Sequence, residues 1–107
     1  MTEDEFRNGT TDTQDVDKVL DQLFALVRKE LDGALETYGN SGGGHPGFAS
    51  AHEGYAVIAE ELDELWDLVK GHGTGYSKDA LKEAMQVAAM GVRYMLMVYF
   101  MNTAPPR

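Results

Sequence analysis

Two glycine clusters cut this 107-residue chain into three long stretches, and each stretch carries the apolar spacing of a helix. The first cluster, residues 39–47, holds five glycines and Pro46. The second is Gly71-His72-Gly73-Thr74-Gly75. Glycine and proline at such density stop helices and make loops. Before the first break, Val16, Leu20, Leu23, Val27, Leu31, Ala34 and Tyr38 recur in steps of three and four, which predicts a helix over 13–38. Between the breaks, Ser50-Ala51-His52-Glu53 reads as a capping box. It opens a second helix that runs to about Lys70, with Tyr55, Ile58, Leu62, Leu65 and Val69 as its core stripe and Trp66 toward the same apolar side. After the second break, Ser77 caps a third helix that reaches about Met101, with Asp79 in its first turn. The expected fold is all-α.

The third helix is apolar nearly all round from Tyr94 to Met101, so it needs cover on several sides. Three helices leave a four-helix bundle incomplete, and a single core of this size is marginal. The expected remedy is association into a homodimer or homotetramer. The stretch 85–101 raises the alternative of a membrane span, but it is short of about 20 residues and contains Gln86 and Arg93. A buried helix is the expected reading. Residues 1–12 read as a disordered acidic arm, 13–101 as one helical domain, and 102–107 as a flexible tail. The glycine-rich loop lacks the lysine and Ser/Thr of a phosphate-binding P-loop and reads as a connector or flap.

The chain has no cysteine, which excludes disulfides and thiolate metal sites, and the N-terminus shows no apolar leader. A cytoplasmic location is expected. A net charge of −9 disfavours nucleic-acid backbones as partners, and it requires a cation wherever an anionic substrate approaches. Six acids fall in the second helix, whose only base is Lys70.

Among those acids, Glu60-Glu61-Leu62-Asp63-Glu64 has a special placement. Glu61 and Glu64 lie one turn apart, and Glu61 falls between Val57, Leu65 and Leu68 on the apolar side. A carboxylate there must be paired, protonated or bound to metal. On the third helix Glu83 and Gln86 are likewise one turn apart, so an antiparallel pair of helices presents Glu61 and Glu64 opposite Glu83 and Gln86. Three carboxylates and an amide oxygen suit one or two magnesium ions. Glu60, Asp63 and Asp67 read as a solvated face, and Glu53 as a capping residue. No ExxH spacing is present, which argues against a di-iron carboxylate bundle. Arg93 either neutralises a substrate phosphate or pairs with an acid of a neighbouring helix, and Lys82 offers a weaker phosphate contact.

The run from His52 to Trp66, HEGYAVIAEELDELW, followed by Lys82-Glu83-Ala84-Met85-Gln86-Val87-Ala88-Ala89-Met90, resembles the MazG-like all-α nucleoside triphosphate pyrophosphohydrolases. Their signature is EExxE on one helix and ExxD on the next. Glu60, Glu61 and Glu64 match the first part; Glu83 matches the second, with Gln86 where the family usually has aspartate. The resemblance implies magnesium-dependent cleavage of a nucleotide between its α and β phosphates, in a dimer or tetramer. It also implies Glu61, Glu64 and Glu83 as metal ligands with Gln86 in the fourth place, and Glu60 or Glu53 to orient or deprotonate the water. Gln86 brings no negative charge, so Gln86→Asp is expected to tighten magnesium binding. The rival reading is a non-catalytic helical interaction protein that keeps the fold and binds metal or nucleotide weakly.

Overall fold

A computed structural model describes residues 13–38, 46–71 and 75–103. The expectations for residues 1–12, 39–45 and 104–107 lie outside that range. Three helices make up the fold: α1 (Thr13–Tyr38), α2 (Ala51–Lys70) and α3 (Lys78–Thr103). No strand occurs among the described residues. The helix starts follow the local chemistry. Ser50 Oγ accepts the Glu53 backbone N–H at 3.0 Å, while Glu53 Oε1 accepts the Ala49 N–H at 3.2 Å. Ser77 Oγ likewise accepts the Ala80 N–H at 3.1 Å. At the far end α3 runs two residues past Met101, with Asn102 Nδ2 donating to the Val98 carbonyl.

The packing is not a symmetric bundle. α3 lies against both α1 and α2, and those two share little contact with each other. α2 and α3 are joined through residues 71–77 and run antiparallel: Gly54 faces Tyr94 near one end, and Glu61 and Glu64 face Glu83 nearer the other. Gly54 is buried because a Cβ there would come within 2.7 Å of both the Phe48 and Tyr94 rings. The core joins Leu31 of α1, Phe48 of the connector, and Ala89, Met90 and Met97 of α3, flanked by Val27, Val57, Ile58 and Tyr94. Phe48, which the connector reading passed over, is completely buried.

Arg93 belongs to this core. It is 4% exposed, donates from Nη2 to the Gly47 carbonyl at 3.2 Å, and its guanidinium sits 4.3 Å over the Phe48 ring. A buried cation is tolerated where hydrogen bonds and an aromatic face replace its water. It ties the end of the α1–α2 connector to α3.

Much apolar surface remains outside. Among the described residues six hydrophobic side chains are buried, against thirteen large ones exposed. The expected α2 stripe is corrected here: Ile58 and Leu65 are partly covered, whereas Tyr55 (73%), Leu62 (53%), Trp66 (56%) and Val69 stand exposed. They form a second apolar side of α2 that neither α1 nor α3 covers. On α3, Met95, Val98, Tyr99, Phe100 and Met101 are exposed as well. The radius of gyration, 16.2 Å, exceeds the roughly 13 Å of a compact chain of this length. By length and composition alone, Lys78–Asn102 is apolar enough to cross a membrane, with mean hydropathy 1.3.

The close α2–α3 crossing predicts opposite outcomes at two glycines. Gly54→Ala forces Phe48 and Tyr94 to move and lowers stability by about 1–3 kcal/mol. Gly91→Ala meets nothing within 4 Å and gains up to about 1 kcal/mol from helix propensity. Thermal or urea melts of the two variants check the pair.

Candidate metal centre

The antiparallel register of α2 and α3 gathers three carboxylates. One oxygen each from Glu61, Glu64 and Glu83 lies within 4.8 Å of the others. Glu61 and Glu64 stand one turn apart on α2, and Glu83 reaches them from α3. Glu61 and Glu83 are partly buried and Glu64 is exposed, so the cluster opens on one side. That side is a shallow groove lined by Glu64, Asp67, Leu68, Asp79, Lys82 and Glu83.

The electrostatics follow from crowding. Burial pushes the Glu61 carboxyl up to about 7, and the negative charges of Glu64 and Glu83 add to the rise. Glu83 is also raised, first by burial and then by Glu64, with Glu61 and Lys82 acting against the rise. Like charges this close disfavour simultaneous ionisation. Glu83 Oε2 is buried without a hydrogen-bond partner among the described residues. A buried carboxylate oxygen of that kind is satisfied by a proton shared with a neighbouring carboxyl or by a cation. The donor set is entirely carboxylate oxygen, which is the chemistry that holds a hard divalent cation such as magnesium.

The other expected site residues are placed differently. Gln86 lies one turn beyond Glu83, but its Nε2 donates to Glu30 Oε2 on α1 at 2.8 Å. Lys82 is exposed on the groove wall, within reach of an anion there. Glu60 is exposed beside the cluster. Glu53 lies two helical turns from Glu61, with its Oε1 on the Ala49 N–H as a cap, so it is not positioned to act on a water at the cluster. Arg93 is corrected from a substrate contact to a core residue, because its guanidinium is enclosed by Gly47 and Phe48 and not presented to the groove. Glu30 was not singled out from the sequence. Its one available signal is its place three residues after Val27, on the flank of the α1 stripe.

No family model, curated protein or solved structure matches the chain.

Raised carboxyls give a defined pH dependence. The folded state holds protons on Glu61 and Glu83 that the unfolded chain releases near 4.5, so metal-free stability falls as pH rises above about 4.5, with the Glu61 part of the fall extending to about 7. Glu61→Gln removes part of that fall. Melts in EDTA at pH 5.5 and 8 check it: the loss between the two is smaller in the variant than in wild type.

Proposed function

We propose that the protein is a magnesium-dependent nucleotide pyrophosphohydrolase of MazG-like type, cleaving a ribo- or deoxyribonucleoside triphosphate to the monophosphate and pyrophosphate. The observation that carries this reading is the convergence of Glu61, Glu64 and Glu83 from two antiparallel helices, with a buried Glu83 oxygen left unpartnered. An all-oxygen, triply acidic cluster beside an open groove suits a cation that in turn holds phosphates. The spacing within α2 and α3 is that of the family signature quoted above.

In this reading Glu61, Glu64 and Glu83 hold the cation, and Gln86 lies one turn beyond Glu83 on α3. Magnesium, when bound, offsets the phosphate charge and lowers the pKa of coordinated water. The chain's own work is positional. The three carboxylates fix the site, Lys82 on the groove wall meets a phosphate oxygen, and Glu60, exposed and next to Glu61 in the chain, orients a water. The acid-lined groove binds a polyanion only together with its cation, which ties substrate binding to metal binding.

The reading includes a cytoplasmic homodimer or homotetramer, with α3 as a bundle helix and not a membrane span. The packing of α3 on both other helices and the buried Arg93 favour a bundle helix. Its partner surface is the exposed apolar side of α2 together with the open end of α3. Sedimentation at micromolar concentration should give a dimer or larger, and Leu62→Glu with Trp66→Glu should reduce it to monomer.

A second reading, a helical interaction protein that binds metal without turnover, draws on one observation: Gln86 is already engaged by Glu30. Pyrophosphate release from a panel of nucleoside triphosphates, with magnesium or EDTA, separates the two. The expected result is magnesium-dependent release that falls on the order of 100-fold or more in Glu61→Gln. Stabilisation by magnesium with no release from any nucleotide would favour the second reading.

A further inference from the structure

The hydrogen bond from Gln86 Nε2 to Glu30 Oε2 joins α3 to α1 across 56 residues at 2.8 Å. It is partly buried, and it sits one helical turn from Glu83. Its polarity is forced. A carboxylate only accepts, so the end of the Gln86 amide that faces Glu30 must be the nitrogen. The amide oxygen, the only atom of that side chain able to bind a cation, is then the end that does not meet Glu30.

We propose that Glu30 is a positioning residue of the carboxylate site, holding the Gln86 amide so that its oxygen is the end offered to a cation. This rests on reading Glu61, Glu64 and Glu83 as a metal centre. The physical case is a competition for one NH2 group. Glu83, one turn away on α3, also bears acceptor oxygens, one of them buried and without a hydrogen-bond partner, which makes it the competing acceptor for that nitrogen. A nitrogen facing the cluster would meet an incoming cation with donors instead of a lone pair. Glu30 wins that nitrogen from the opposite side. Glu30 is not among the three carboxylates that lie within 4.8 Å of one another, so it acts through Gln86 and not as a ligand.

The pair also explains why glutamine suits position 86. A carboxylate of the same length there would meet Glu30 with no proton between the two oxygens. An acidic substitution at 86 alone therefore sets a gain in site charge against a new repulsion, and it needs a donor at position 30.

The test uses the full-length chain, with magnesium titrated by calorimetry and melting followed in EDTA. Glu30→Ala should weaken magnesium binding by about 10-fold or more. Gln86→Glu should lower the melting temperature in EDTA. The exchange Glu30→Gln with Gln86→Glu should restore melting, because the amide then donates from α1 to a carboxylate on α3. It should also bind magnesium at least as tightly as wild type. Should Glu30→Ala fail to fold, the exchange still carries the test. Unchanged magnesium affinity in Glu30→Ala, or an exchange that restores melting but not binding, would overturn the proposal while Glu61→Gln still abolishes binding. A wild type that binds no magnesium, or a Glu61→Gln variant that binds as wild type does, would instead remove the metal centre and the proposal with it.

Discussion

The contact of α3 with both other helices is the constraint from which the rest follows. α1 and α2 barely meet, so each takes its place by packing on α3. The close crossing at Gly54 and Tyr94 sets the α2–α3 register. From that point, seven to ten residues forward along α2 reach Glu61 and Glu64, and a similar distance back along α3 arrives at Glu83. The position of the carboxylates is thus fixed by a packing contact well away from them. Arg93 and Phe48 secure the same arrangement from the connector side, since the buried guanidinium lies between Gly47 and α3.

Within that frame the acidic cluster works against folding. Partly buried Glu61 and Glu83 hold their protons to higher pH than free carboxyls, because burial takes water from their charged forms and the neighbouring Glu64 adds to the cost. A packed apolar residue at either position would make a steadier helix pair. Sites where local choices oppose stability are where function is expected to lie. The apolar side of α2 poses a similar conflict, since Tyr55, Leu62, Trp66 and Val69 face outward beside a strongly acidic surface.

Local features were the legible ones. The three helices and the serine caps at Ser50 and Ser77 follow from periodicity and from hydrogen bonds spanning three residues. The meeting of Glu61, Glu64 and Glu83 was legible because a short link between two helices makes them antiparallel, and helical spacing does the remainder. What stayed hidden depends on contacts distant in sequence. Apolar spacing marked Tyr55, Leu62 and Val69 as one side of α2 but said nothing of what covers that side. Phe48 stood alone beside glycines, with no period to reveal it. The Glu30–Gln86 bond crosses 56 residues between two ordinary polar positions, and neither announces the other.

Trp66 is the only tryptophan of the chain, and it stands on the surface of α2 two residues beyond Glu64. An indole in water emits at longer wavelength than one enclosed in protein. The molecule therefore carries an intrinsic optical reporter at the place where its uncovered apolar side adjoins its carboxylates. Its emission colour follows the wetting of that surface without any added label.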